Sequence, residues 1–94
     1  MAAYWVVKVR VTDPEAYGEY VKRVPPVVQQ FGGRALVRGG AAETLEGADY
    51  PRTVVVEFES FAQAKACYDS PEYQEAKTYA DGASERIFTI VEGV

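Results

Sequence analysis

The chain has no histidine and no asparagine, and its 94 residues include a single cysteine. Without histidine, it lacks the imidazole of the commonest general bases, of many metal sites and of Ser-His and Cys-His nucleophile pairs. Cys67 has no partner for an internal disulfide, which favours a reducing cytoplasm. We therefore expect a cytoplasmic protein that holds no metal and no other cofactor.

An excess of basic residues and a long apolar run are also missing. The chain has 10 Lys and Arg against 14 Asp and Glu, a formal net charge of −4. Nucleic acids and anionic membranes attract basic surfaces, so we expect neither as a partner. Lys8 and Arg10 interrupt the apolar N-terminal segment, which argues against a signal peptide and a membrane span. A hydrophobic share of 48% predicts one globular domain over residues 1–94.

Hydrophobic periodicity and capping residues predict four strands and three helices. The predicted strands cover 4–11, 34–38, 53–58 and 87–91, and the predicted helices cover 14–31, 61–69 and 71–80. Residues 41–52 read as a polar connection, with a short extra strand near 43–45. The first helix carries one stripe that we expect to be buried, with the three-and-four spacing of Tyr17, Tyr20, Val21, Val24, Val28 and Phe31. Pro25 and Pro26 each remove an amide donor from this helix, so we expect a kink or break there.

The resulting order, β-α-β-β-α-β, is the split βαβ arrangement of an α+β, ferredoxin-like sandwich. Right-handed crossovers place both helical layers on one face of a four-stranded antiparallel sheet, with the first and third strands central. Period-two alternation assigns to this helix-facing side Trp5, Val7, Val9, Val11, Val54, Val56 and Phe58. The opposite face receives Tyr4, Val6, Lys8, Arg10, Thr53, Val55 and Glu57. The faces of the second and fourth strands stay open at this point.

The face turned away from the helices mixes apolar and charged side chains. Soluble monomers seldom expose so large a semi-apolar surface. Two copies packed face to face around a two-fold axis would cover it, so we expect a homodimer. The charged side chains would then either pair with one another or line a cavity between the two sheets. The expected pair is Glu57 with Lys8 or Arg10, because the two central strands are neighbours.

Six short segments stand in a specific order over nearly the whole chain: FGGR at 31–34, VRGG at 37–40, LEG at 45–47, VEFES at 56–60, YDSPEYQ at 68–74 and VEG at 91–93. Together they resemble the bacterial family called domain of unknown function 1330. The resemblance implies a dimeric α+β barrel and no established activity. It also implies a superfamily of small cofactor-free or haem-using monooxygenases, isomerases and stress-related proteins. Haem degradation as done there relies on His and Asn, and this chain has neither.

Three positions depart from the pattern of that family. Glu59 stands where a proline is usual, and Cys67 occupies a position that is often aromatic. Ala80 stands where arginine is frequent in relatives. If that arginine serves a ligand in relatives, this chain either lacks the contact or uses Arg86 instead.

Arginine and carboxylate side chains on the sheet offer the first candidate site. Arg10, Arg38 and Glu57 would form a pocket for a small anion, with arginine as a fork for a carboxylate. The alternative is a structural ion pair at the dimer interface or plain surface charge. Tyr68 and Tyr73 flank the break between the second and third helices, where they either present hydroxyls to a ligand or pack a helix corner.

Three functions follow as hypotheses. The first is a non-catalytic or stress-associated protein that binds a small anionic or aromatic molecule between sheet and helices. The second is a cofactor-free monooxygenase or isomerase, in which Arg10 and Arg38 hold an oxyanion. In that enzyme Glu57 accepts a proton and Tyr68 orients the substrate. The third is a dimer with only a structural or interaction role.

Overall fold

The computed structural model describes residues 1–94, with seven elements in the predicted order. The strands are β1 (Ala3–Val11), β2 (Arg34–Arg38), β3 (Arg52–Phe58) and β4 (Ser84–Glu92). The helices are α1 (Pro14–Gln30), α2 (Phe61–Asp69) and α3 (Pro71–Lys77). The extra strand predicted near 43–45 is absent. Its place is taken by an irregular loop, in which the Thr44 hydroxyl donates to the Asp49 carboxylate over 3.1 Å.

The four strands form one antiparallel sheet in the order β2-β3-β1-β4, so β1 and β3 are central as predicted. The fold is therefore the α+β, ferredoxin-like arrangement. In the register of the sheet, Val9 of β1 lies opposite Arg52 of β3 and Arg86 of β4. Because Val9 faces the helices and is fully buried, both arginines are on the helix-facing side.

An irregularity in β2 decides where its last arginine points. Ala35 pairs with Val56, but the register shifts before Val37, which pairs with Val55. The extra residue of this bulge returns Arg38, the partner of Val54, to the helix-facing side. The second strand thus contributes Arg34 to the open face and Arg38 to the side of the helices.

Helix α1 continues through its two prolines, so the predicted break is wrong. Both proline rings are exposed, whereas the next two residues, Val27 and Val28, are buried. We attribute the continuity to these valines, whose packing holds the last turn against the core despite two missing amide donors. The Asp13 carboxylate caps the other end by accepting from the Ala16 amide over 3.2 Å.

The core is centred on Trp5, the only tryptophan. Its ring centroid lies 5.0 Å from those of Phe58 and Phe88 and 5.1 Å from that of Tyr73. The indole Nε1 donates to the Ala64 carbonyl over 3.0 Å, which ties β1 to α2. Cys67 is completely buried nearby, and burial raises the pKa of its thiol to about 12, so it remains a protonated core side chain.

Candidate ligand-binding site

A cavity of about 290 Å³ lies between α1 and the sheet. Its walls are mostly apolar, from Trp5, Val7, Val24, Val28, Val54 and Val56. Val21 belongs to the apolar stripe of α1 that was predicted to be buried, yet it is 41% exposed and lines this cavity. Part of the stripe therefore borders open space instead of packing on the sheet.

One end of this cavity is basic. Arg38 and Arg52 line this end. Arg34 lines the cavity from the other end of β2, where it pairs with Glu57, and no aspartate or glutamate lines the cavity. The ion pairs of the chain are formed by Arg10, Lys22, Arg23, Arg34, Lys65 and Lys77. The remaining arginines, Arg38, Arg52 and Arg86, have no carboxylate partner, and all of them lie on the helix-facing side of the sheet.

Arg52 is held against the turn that follows β2. Its Nε is buried and has no hydrogen-bond partner. The guanidinium packs on Gly39, where an added Cβ would lie 2.5 Å from Nη1. Gly39 has a φ of +68° and donates its amide to the Thr53 carbonyl over 2.8 Å. Glycine at this position thus supplies both the turn and the space for the arginine.

Arg86 is surrounded by aromatic side chains. It donates from Nη1 to the Tyr20 hydroxyl over 2.9 Å and from Nη2 to the Tyr73 hydroxyl over 3.5 Å. The two hydroxyls are 2.9 Å apart, and the guanidinium carbon lies 4.9 Å from the Tyr20 ring centroid. Burial raises the pKa of Tyr73 far above its ordinary value, so its phenol stays protonated at neutral pH. Tyr20 connects this cluster to the cavity, which it lines.

The sequence-predicted site residues do not come together in one chain, because the sheet separates them. Arg10 and Glu57 lie on the open face, whereas Arg38 lines the cavity on the other side. Tyr73 is fully buried and does not line the cavity, but its hydroxyl bonds to that of Tyr20, which does. Tyr68 is half-buried and lines a separate cavity of about 230 Å³. The ligand contacts assigned to these five residues therefore stay predictions.

The predicted pairing of Glu57 with Lys8 or Arg10 is wrong. Glu57 accepts hydrogen bonds from Arg34 Nη2 over 2.9 Å and from the Tyr4 hydroxyl over 3.4 Å. Strand register explains the difference, because Tyr4 and Arg34 lie directly opposite Glu57. Lys8 lies opposite Thr53 instead and donates to its hydroxyl over 2.9 Å.

Arg10 is occupied at the end of the open face. Its Nη1 is 3.3 Å from the Glu85 carboxylate, and its Nη2 donates to the Asp49 carbonyl over 3.0 Å. The guanidinium carbon lies 4.7 Å from the Tyr50 ring centroid. Arg10 thus fastens the loop after β2 to the sheet.

Ala80, where the family resemblance predicts arginine in relatives, borders the smaller cavity. Ala80 lines it together with Tyr68, Lys77 and Arg86. Arg86 thus adjoins the space beside Ala80 while bonding to Tyr20, which lines the larger cavity. That Arg86 replaces a ligand contact made by an arginine in relatives stays a prediction.

Sequence reasoning missed Tyr20, Arg52 and Arg86 as members of one site. Tyr20 was assigned only to the buried stripe of α1. Arg52 was placed in the connection before the third strand, although counting back by two from Val54 puts it on the helix-facing side. Arg86 was named only as a substitute for a lost arginine, because the face of the fourth strand was undecided.

Comparison with known proteins agrees with this fold. The model of a family described as domain of unknown function (DUF1330) matches residues 2–94. A protein of unknown function from Rhodopseudomonas palustris has a similar structure, with a TM-score of 0.80 and 20% identity. That alignment covers 99% of this chain and 82% of the other. No curated protein sequence matches the chain significantly.

Two further solved structures share the fold at lower identity. A cofactor-independent oxygenase from Streptomyces nogalater aligns with a TM-score of 0.69 and 12% identity, over 99% of this chain and 93% of the oxygenase. A dimeric protein of unknown function with a ferredoxin-like fold, from Bacteroides fragilis, aligns with a TM-score of 0.65 and 14% identity. That alignment covers 98% of this chain and 96% of the other. None of the helices of this chain is long and apolar enough to cross a membrane.

Proposed function

This chain belongs to the DUF1330 family, and we propose that it forms a homodimer whose subunits each bind a small aromatic anion between α1 and the sheet. The observation that carries the proposal is the pair of arginines, Arg38 and Arg52, at one end of an otherwise apolar cavity. A buried donor without a partner is costly, and Nε of Arg52 is such a donor. An anionic group on a ligand would supply the missing acceptor.

The size and walls of the cavity narrow the class of ligand. Its volume of about 290 Å³ is at the lower limit of small-molecule sites. One or two fused rings would fill such a space. Its walls carry Trp5, Tyr17 and Phe88 beside the valines, and aromatic rings favour offset or edge contacts with a planar ligand. We therefore infer an aromatic body with one acidic group.

Tryptophan fluorescence tests the proposal directly, because Trp5 is the only tryptophan and lines the cavity. The probes are naphthoate and naphthalenemethanol, which share a ring system but differ in charge. Hydrogen bonds to a charged group contribute about 1.5–3 kcal/mol, so naphthoate should bind roughly 10- to 100-fold more tightly. The Arg52→Gln variant should lose most of this preference while still binding naphthalenemethanol.

Arg10→Gln is the matched control, since Arg10 lies on the opposite face of the sheet. It should keep the preference for naphthoate. Equal affinity of the native protein for both probes would contradict an anionic ligand. If neither probe changes Trp5 fluorescence or binds by calorimetry, the cavity is not a binding site.

Cofactor-free oxygenation is the second candidate, favoured by the cofactor-independent oxygenase that has the same fold. In this alternative Arg38 would hold the substrate oxyanion. Tyr68 would orient only a substrate that also reaches the smaller cavity, which Tyr68 lines. Arg10 and Glu57 could take part only across a dimer interface, because they lie on the open face. Oxygen uptake with a dihydroxynaphthalene, without added cofactor, tests it. Uptake that requires Arg38 would favour the enzyme, and no uptake would favour binding alone.

A further inference from the structure

The contacts among Tyr20, Tyr73 and Arg86 determine where their hydroxyl hydrogens point. The two tyrosine oxygens are 2.9 Å apart, and either one is geometrically able to donate to the other. Arg86 approaches the Tyr20 oxygen at 2.9 Å and the Tyr73 oxygen at 3.5 Å. A guanidinium donates hydrogen bonds and never accepts them. Arg86 therefore donates to the Tyr20 oxygen and cannot accept a hydrogen bond from either phenol.

Tyr73 has only one acceptor within reach. Its side chain is completely buried and lines neither of the two cavities. Apart from Arg86, the only polar atom bonded to its hydroxyl is the oxygen of Tyr20. Since buried hydroxyls are almost always satisfied, Tyr73 donates its hydrogen to Tyr20. Tyr20 therefore accepts from both neighbours, and its own hydrogen has no acceptor within the chain.

We infer that Tyr20 donates a hydrogen bond into the cavity, to the ionised oxygen of a phenolic or enolic ligand. This inference rests on the proposed function, because it names Tyr20 as a donor to the ligand's ionised oxygen in the same binding site. Two incoming hydrogen bonds, one of them from a cation, polarise the Tyr20 hydroxyl and make it a stronger donor. Tyr73 is a positioning residue, because it acts on the ligand only through the direction of the Tyr20 hydrogen.

The positive charge of Arg86 favours the same form of the ligand. It has no carboxylate partner, and its contacts are phenol oxygens and aromatic rings. A nearby cation and a hydrogen-bond donor both stabilise an anion relative to its neutral acid. A phenol bound beside Tyr20 should therefore ionise at a lower pH than it does in free solution.

The probe for this inference is p-nitrophenol, whose absorbance reports its ionisation. In the native protein we expect its pKa to lie below the free-solution value by roughly 1 or more. Tyr20→Phe should remove a large part of this decrease, while the cations Arg38, Arg52 and Arg86 keep the remainder. Tyr73→Phe should leave a smaller decrease, because the Tyr20 hydroxyl then accepts one hydrogen bond fewer and is a weaker donor. Tyr4→Phe is the matched control, a hydroxyl removed from the opposite face, and should behave as the native protein.

Trp5 fluorescence measures occupancy in the same samples, which separates two kinds of failure. If p-nitrophenol binds but ionises as in free solution, or if Tyr20→Phe ionises it like the native protein, the role of Tyr20 is wrong and the binding function stands. If p-nitrophenol does not bind at all, both proposals fall. The native protein alone decides the first outcome, so the inference stays testable even if a variant fails to fold.

Discussion

Glycine at position 33 is required by contact with its neighbours, at the point where the end of α1 meets β3. A Cβ added there would lie 2.6 Å from Val28 Cγ1 and 2.7 Å from Phe58 Cε1, two buried side chains. Gly33→Ala should therefore lower the free energy of unfolding by about 1–3 kcal/mol through overpacking. Urea unfolding followed by circular dichroism measures the change.

Gly40→Ala is the control for this substitution. An added Cβ at Gly40 meets nothing within 4 Å. Neither Gly33 nor Gly40 has a positive φ, so backbone strain is the same small factor in both variants. Gly40→Ala should change the stability by less than about 0.5 kcal/mol. Similar urea midpoints for the two variants would contradict the prediction, because they would mean that the side chains around Gly33 move aside without loss of stability.

At the residue scale, sequence patterns predict the face of the sheet on which a side chain lies better than the residue with which it pairs. Alternation along β1 assigned Trp5, Val7 and Val9 to the helix-facing side, and all three are buried. The partner of Glu57 was not predictable, because it depends on which residues lie opposite one another, and alternation carries no information on register. A bulge in β2 likewise decided the face of Arg38, and no residue in that strand signals its position.

At the scale of elements, Ser70 separates α2 from α3 and hydrogen-bonds to backbone groups at the end of α2 and at the start of α3. Its hydroxyl oxygen accepts from the Tyr73 amide over 3.1 Å and donates to the Cys67 carbonyl over 2.7 Å. The side chain is buried, so water cannot replace either bond. Ser70→Ala should cost about 1–2 kcal/mol of unfolding free energy.

Ser60→Ala provides the comparison, because Ser60 caps α2 with a single bond from the Gln63 amide over 3.1 Å. Ser60 is only half-buried, and water can substitute for part of that bond. Its loss should cost less than the loss of Ser70 in the same urea titration. An equal or larger effect of Ser60→Ala would contradict the double role of Ser70.

Local signals of this kind made the elements predictable. The cap at Ser60 and the Ser70-Pro71 break gave α2 its observed bounds, 61–69. The break expected in α1 was wrong because local preference for ending a helix at Pro25 and Pro26 is outweighed by tertiary packing of the next turn. The cavity under α1 was not predictable for a related reason, since the separation of helix and sheet depends on the whole set of side chains between them.

At the scale of the whole molecule, the open face of the sheet is suited to self-association. Its exposed apolar side chains are Leu36, Val37, Ile87 and Val91, with half-buried Val6 and Val55 at the centre. Of the charged residues among them, Glu57 pairs with Arg34 and Arg10 with Glu85, while Lys8 bonds only to the Thr53 hydroxyl. A charge that keeps its partner can be covered by a second subunit at a much smaller cost than an unpaired one.

Val55→Glu should therefore dissociate the dimer that we propose. Val55 lies opposite Val6 at the centre of the two middle strands, so a second subunit that covers this face would bury a carboxylate there without a partner. Light scattering after size exclusion should give the mass of two chains for the native protein and of one for the variant. Ala62→Glu, on the exposed side of α2, should remain dimeric. A native protein with the mass of one chain, or a Val55→Glu variant with the mass of two, would mean that this face is not the interface.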